Sequence, residues 1–362
     1  MTVAPTAPVV ATRGHPDGEG PRRDGPIVVI GGYGAVGRTV AAALAPALPG
    51  RVVVAGRHGG AAWACARRLG DGVRAARVDA TRPDEVARLV HGAAAVVMCV
   101  EAGNAEVARL CLGHGVPVVD VSATAAVLDA VVRLDGAARA AGAAAVLSVG
   151  LAPGITNLLA RCVVARLPDA ARIDLTLGLG LGDEHGGDAR RWAVRGLGTP
   201  TPPGIGARAV DLPGFGRRVA HPFPFSDQHT LSRSLGLPVV TRLCFDQRSV
   251  TAALFGLRRA RAFAGPRRQR TALAADRALA RLRLGGTSWV AHARAVASDG
   301  RSAEVAVRGH GDARVTAGVA AAVVRRVVIG DVPPGVHHLD EVVEPVPFLA
   351  ELGLEPVGPA GR

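Results

Sequence analysis

The chain has 362 residues, 49% hydrophobic and 3% aromatic, enough for two domain cores made largely of Ala, Val and Leu. Its 43 basic residues are all arginine, and the net charge is +13. The lack of lysine excludes Schiff-base catalysis, pyridoxal-phosphate attachment and a P-loop lysine.

The arginines are scattered, apart from clusters at 258–261 and 267–270, and lack interleaved aromatics or zinc-finger spacing. That argues against nucleic acid and for small anionic ligands. No apolar run approaches the roughly 20 residues that span a bilayer, and the first residues lack a signal peptide's unbroken apolar segment. Five cysteines without a C-x-x-C pair read as reduced structural thiols, not metal ligands. The expectation is a cytoplasmic protein with no metal and no nucleic-acid or membrane partner.

Residues 1–25, rich in Pro, Gly, Thr and Arg, predict a disordered extension. From Pro26 strands and helices alternate. Strands are predicted at Ile27–Ile30, Arg51–Ala55, Val73–Val78, Ala94–Val100, Val116–Ser122 and Ala143–Gly150. Helices are predicted at Arg38–Leu48, Ala61–Leu69, 83–91 with Thr81 as N-cap, Asn104–Gly113 and 124–141. Six strands at this spacing predict right-handed crossovers and a doubly wound parallel sheet, a Rossmann domain over 26–152. After Gly150 the rhythm breaks. A Pro-Gly turn leads into a helix, Ala171–Gly182 alternates as a strand, and 195–222 is rich in Gly and Pro. A strand "LPVVTRLCF", helices over 249–265 and near 269–283, and a hairpin of "SWVAHARAVA" with "AEVAVRGH" follow. Strands beside strands predict a second α+β domain over 153–314 with a mixed or antiparallel sheet. A last helix lies in "VTAGVAAAVVRRVV".

The stretch "IVVIGGYGAVGRTVAAAL" places glycines between a strand and a helix. It reads as G-x-G-x-x-G (Gly32, Gly34, Gly37) and equally as G-x-x-G-x-x-G (Gly31, Gly34, Gly37). Either way the turn from Gly32 through Tyr33, Gly34, Ala35 and Val36 to Gly37 suits a dinucleotide pyrophosphate. The end of the second strand selects the cofactor. An NAD site has an acidic residue there, whereas this chain has Arg57, with Arg38 and His58 nearby, which suits the 2′-phosphate of NADP. Asp79 is placed to touch the adenine edge, and Cys99 and Val100 to pass beside the nicotinamide ribose. The tyrosine–lysine pair of short-chain dehydrogenases is impossible, because Tyr33 is the only tyrosine and no lysine exists.

The segments "IGGYGAVGR", "VVVAGR", "VPVVDVSA", "SVGLAPGITNLLA", "FPFSDQHTLSRSLGLPVVTRLCFD" and "GDVPPGVHHLDEVVEP", in that order, resemble the saccharopine dehydrogenase/reductase-like family. The resemblance implies a Rossmann domain, a C-terminal α+β domain, and a tail over 315–362 packing back on the first domain. It implies a homodimer and NADPH-linked hydride transfer to or from a C–N bond of an amino-acid or polyamine-like substrate. It also implies that Asp120, Ser122, Pro153 and Gly154 line the substrate cleft. For Asp120 an ordinary capping role is the alternative.

Imine reduction needs a proton as well as a hydride. Two segments offer donors. "GLGDEHGG" carries Glu184 and His185, and "HPFPFSDQHT" carries His221, Asp227, Gln228 and His229 in a predicted loop with Phe223 and Phe225. His185, with Glu184, is the expected proton carrier. Asp227 is the alternative, or a holder of a substrate ammonium, with Phe225 and Gln228 at the pocket wall. His337-His338 is a weak metal signal, and Arg190, Arg191 and Arg242 are possible carboxylate clamps. Two other functions stay open: reduction of a C=C or C=O bond in a specialised metabolite, and a non-catalytic NADP-binding regulator.

Overall fold

Uninterrupted Val, Ile and Ala runs form buried strands because both faces of a parallel sheet are covered by helices. The computed structural model describes residues 24–183, 186–279 and 285–357, so most of the extension expected over 1–25 lies outside the described residues. The first half runs β1 (Ile27–Ile30), α1 (Ala35–Leu44), β2 (Val52–Gly56), α2 (Gly59–Leu69), β3 (Arg74–Arg77), α3 (Pro83–Val90), β4 (Ala95–Met98), α4 (Asn104–Gly113), β5 (Val118–Asp120), α5 (Ala125–Val132), α6 (Asp135–Ala140) and β6 (Ala144–Leu147). Two local expectations fail. The helix expected over 124–141 is split into α5 and α6. Thr81 is no helix cap, because Arg82 holds that position and the Thr81 hydroxyl donates to Asp79 at 2.8 Å.

A single π-type turn, Leu151–Ile155, leads into α7 (Thr156–Arg166) and β7 (Ala170–Leu179). Then come α8 (Gly187–Gly198), β8 (Arg208–Leu212), β9 (Gly216–Pro222), α9 (Asp227–Leu235), β10 (Val239–Phe245), α10 (Arg248–Arg259), α11 (Gly265–Leu279), β11 (Ser288–Ala297) and β12 (Ser302–His310). The tail supplies α12 (Asp312–Ile329), β13 (Gly335–His338), α13 (Leu339–Val342) and α14 (Pro345–Glu351).

Two sheets result. The first is all parallel, in the order β13-β6-β5-β4-β1-β2-β3. Its six expected strands are joined by a seventh, β13, which comes from the tail and pairs with β6. The second sheet is mixed, in the order β12-β11-β7-β10-β9-β8; β10 runs parallel to β7 and the other pairs are antiparallel. On β7, Ile173, Leu175 and Leu177 enter the core that also holds Leu158 and Leu159 of α7. Asp174 and Thr176 therefore point to the opposite face.

Alanine sets how closely the tail packs. α12 buries Ala317, Ala320, Ala321 and Ala322 together with Val319, Val323 and Val324, and it lies against α1. Small side chains let the helix backbones approach. Phe348 of α14 is 1% exposed, with Arg326 of α12 4.9 Å over its ring. Among the described residues no helix is long and apolar enough to cross a membrane. Truncating Phe348 to Ala should cost about 3–5 kcal/mol by emptying this contact. Urea unfolding measures it, and a loss below about 1 kcal/mol would show that the tail is not part of the core.

Candidate functional site

The glycine turn is forced by backbone crowding. Gly31 sits at φ +80°, and its N–H and that of Gly32 both donate to Ala55 O, at 2.8 and 3.1 Å. A Cβ on Gly32 would lie 2.7 Å from Val29 O, and one on Gly37 would strike the Gly31 carbonyl. Gly34 is the N-cap of α1 and brings no side chain to that end, so Ala35 and Val36 offer backbone N–H groups at a bare helix N-terminus. This cradle fits a dinucleotide pyrophosphate. Both glycine spacings are satisfied at once, since Gly31 and Gly32 are each crowded.

Tyr33 does not stop at the phosphates. Its ring covers Gly56, where a Cβ would meet Cε1 at 2.5 Å, and its Oη accepts the His58 N–H at 3.1 Å. It thereby braces the β2–α2 turn that carries the exposed Arg57. Asp79 accepts hydrogen bonds from the Thr81 N–H at 3.0 Å and hydroxyl at 2.8 Å, which hold its carboxyl below the usual range, with Arg57 adding to the effect.

At the carboxyl ends of β4 and β5, Cys99 and Val100 follow Met98 half-buried. Asp120 is 1% exposed; Asn104 donates to its Oδ2 at 3.0 Å and the Ser122 N–H to its Oδ1 at 2.8 Å. Burial pushes the Asp120 carboxyl up against those hydrogen bonds. The turn leading into α5 is held by Glu101, whose Oε1 accepts the Ala123 and Thr124 N–H groups at 3.0 and 2.9 Å, and no side chain caps the helix itself. Asn104 Oδ1 is buried and has no protein partner.

The domain junction follows β6. Ser148 is fully buried at φ +59°, and the Ala152–Pro153 peptide is cis. Gly154 donates to Asn157 Oδ1 at 3.2 Å, while Asn157 Nδ2 and Arg161 Nε both donate to Asp340, at 3.1 and 2.8 Å. Parallel pairing with β6 carries His338 to the same sheet edge, where its Nδ1 meets Ser148 Oγ at 2.8 Å. Burial pushes the His338 pKa down, against the pull of Glu341 and Asp340.

Asp227 is not in a loop as expected. It opens α9, together with Gln228 and His229, because Ser226 and the preceding Pro-rich turn end at the helix start; His221 lies in β9, stacked 4.2 Å from Phe255. Asp227 is 1% exposed. Its Oδ1 accepts the Thr156 hydroxyl at 2.5 Å, and its Oδ2 has no protein partner. It lines a small cavity with Ala152, Thr156, Phe225 and Thr241, with room for about one water. Burial pushes its pKa up to about 7, with Asp340 adding to the rise. Gln228 accepts the Thr241 hydroxyl at 3.0 Å, and Phe225 packs at a tilt against Phe223 and Trp192.

Glu184 and His185 lie outside the described residues. Arg242 is not an open carboxylate clamp: buried, it donates to Asp174 at 2.7 Å, and Arg208 takes the other oxygen at 2.5 Å. Arg191 pairs with Asp188. The structure thus gathers Pro153, Gly154, Asp227 and Phe225 near Thr156. It adds Asn104, Ser148, Thr156 and Asp340, which the motifs did not single out, and His338, which the sequence marked only as half of a weak metal pair. The one available hint was the His337-His338 pair at the end of a short apolar run.

Residues 27–146 match the family described as saccharopine dehydrogenase NADP binding domain. No functionally curated protein matches the sequence. Among solved structures, apo saccharopine dehydrogenase (L-Glu forming) from Saccharomyces cerevisiae aligns with a TM-score of 0.65 at 15% identity, over 93% of this chain and 100% of that one. An actinorhodin polyketide ketoreductase with NADPH aligns over 34% of this chain and 70% of its own, at 15% identity and a TM-score of 0.29. Pen from Bacillus thuringiensis aligns over 43% and 59%, at 16% identity and a TM-score of 0.30. The fold of both domains is therefore that of the yeast enzyme, and the first domain binds NADP(H).

Replacing Gly37 with Ala should abolish NADPH binding, because its Cβ would push the Gly31 carbonyl out of the turn. Fluorescence titration with NADPH checks this, and wild-type affinity in the variant would remove the turn from the cofactor site.

Proposed function

We propose that this chain, a carrier of the saccharopine dehydrogenase NADP-binding domain, is an NADP-dependent oxidoreductase that moves hydride to or from a C–N bond. The substrate in this reading is an imine or secondary amine of an amino-acid or polyamine-like molecule, handled in the cytoplasm by a homodimer. NADPH supplies the hydride, held by the Gly32–Gly37 turn and Arg57. The protein's own task is to supply the proton and to exclude water.

One observation carries the reading: a buried carboxyl poised near neutrality, with an unpartnered oxygen, beside the Ala152–Gly154 segment. With a pKa of about 7, Asp227 is present both protonated and ionised at neutral pH, the condition for efficient acid–base exchange. An amine nitrogen that loses or gains a proton as hydride moves suits such a partner. Reduction of an isolated C=C bond leaves less use for a cation-compatible carboxylate. Thr156 holds one Asp227 oxygen and leaves the other to a water or to the substrate. His185 with Glu184 is the second proposed carrier, and Asp120, Ser122, Pro153, Gly154 and Gln228 are the proposed substrate wall.

The reading is tested by following the NADPH absorbance band with paired keto acids and amines, and separately with enones and ketones. Turnover confined to enones or ketones would replace the C–N assignment, and NADPH binding without any turnover would favour a regulator. In Asp227→Asn, kcat should fall on the order of a hundredfold while NADPH affinity stays unchanged.

A second measurement needs no substrate. The folded chain keeps a proton on Asp227 up to about pH 7, whereas the unfolded chain releases it near 3.8. Stability therefore falls as pH rises through that window. Asn cannot ionise, so the variant's Tm should lose that part of the decline. Parallel Tm–pH curves for the two proteins would contradict the buried-acid description.

A further inference from the structure

The corner where the carboxyl ends of β2 and β3 meet the first turn of α2 holds a second arginine. Parallel pairing sets Arg77, the last residue of β3, opposite Gly56, the residue before Arg57. Arg77 and Gly56 share a sheet face. It is the face that α2 covers, since a Cβ built on Gly59, the first residue of α2, would stand 3.5 Å from the Arg77 Cβ.

Arg77 is loosely held. Its side chain is 66% exposed, and its ion partner Glu85 is 3.9 Å away. Glu85 already serves others: its Oε2 accepts the Asp79 N–H at 3.0 Å, and Arg82 stands 3.9 Å from its Oε1. Releasing so long and exposed a pair costs little. The acceptors that would read an unphosphorylated ribose are engaged as well. Asp79, at the end of β3, is held by the Thr81 N–H and hydroxyl, and the end of β2 carries Arg57 in place of a carboxylate. The first turn of α2 contains no acidic residue, and no side chain caps it. Arg57 and the bare N-terminus of α2 add positive charge at this corner, while Asp79 and Glu85 are occupied by partners of their own.

We propose that Arg77 is a specificity-determining residue for NADP, pairing with the cofactor's 2′-phosphate from the β3 side while Arg57 pairs with it from the β2 side. A phosphate monoester carries close to two negative charges at neutral pH, so one guanidinium leaves it half-neutralised and two match it. Tyr33, by accepting the His58 N–H, braces the β2–α2 turn that carries Arg57. The inference rests on NADP binding and not on which bond is reduced.

The bland role for Arg77 is an exposed charge that guards the edge strand β3 against pairing with other chains. Arg74, exposed at the other end of the same strand, can play that role equally and serves as the control. Calorimetric titration of the full chain with adenosine 2′,5′-bisphosphate and with 5′-AMP separates the two. Wild type should prefer the bisphosphate. Arg77→Ala should lose about tenfold in bisphosphate affinity, with AMP affinity unchanged, Arg77→Lys should recover part of it, and Arg74→Ala should match wild type. Equal affinities for the bisphosphate in Arg77→Ala and wild type would overturn the proposal. So would a parallel loss for AMP, which marks general damage to the corner. A wild-type chain indifferent to the 2′-phosphate would overturn it by removing NADP preference itself, an outcome independent of the C–N reading.

Discussion

The junction of the two sheets hangs on one buried carboxylate. Asp340, with its side chain 1% exposed, receives Asn157 and Arg161 from α7 at 3.1 and 2.8 Å. Asn157 in turn receives the Gly154 N–H, so the segment between Ser148 and Thr156 is fixed by a group 186 positions further along, from 340 − 154. A buried ion pair adds little net stability over an apolar replacement, but removing one partner leaves a charge stranded. Such a contact serves to specify geometry. It makes the tail a part of the site, because α13 docks on α7 directly after β13, whose pairing with β6 brings His338 to Ser148.

That arrangement explains why carboxylates gather where a protein of net charge +13 has so many arginines to neutralise them. Asp174 and Asp340 are paired with arginine, and Asp174 takes three, Arg172, Arg208 and Arg242. Asp120 and Asp227 are buried without an arginine partner and are held by amide, hydroxyl and backbone groups instead. Neutral donors lower a carboxyl pKa less than a guanidinium does, so burial wins at both and raises them. With hydroxyls and amides, not arginines, around these two acids, both carboxyls stand above their ordinary range.

The parallel sheet was legible because its central strands β1, β2, β4 and β6 are apolar runs and its helices begin where strands end; Ile27–Ile30 and Asn104–Gly113 match their elements residue for residue. The glycine turn was legible because only glycine tolerates the approach of Gly37 to the Gly31 carbonyl. The mixed second sheet followed from strands adjacent in sequence. The tail strand was not legible. "GVHH" is short and half polar, and its strand state comes from pairing with β6 and not from its own pattern. Helix α9 was hidden behind "HPFPFS", where two prolines suggest a loop although the helix starts immediately after them. The pairing of Asp227 with Thr156, 71 positions apart, has no local signature at all.

The missing lysines sharpen what remains. A family of reactions that exchanges protons with amines can use lysine, tyrosine, histidine or a carboxyl. This chain has no lysine, and its one tyrosine is committed to Gly56 and the His58 N–H, away from the junction. Under the proposed reading, proton exchange at the junction falls to a carboxyl or a histidine. Burial raises the Asp227 carboxyl to about 7 and lowers the His338 imidazole below its ordinary value. In the proposed reaction, excluding water from this junction therefore does more than shield the hydride: the same burial sets the protonation state of Asp227.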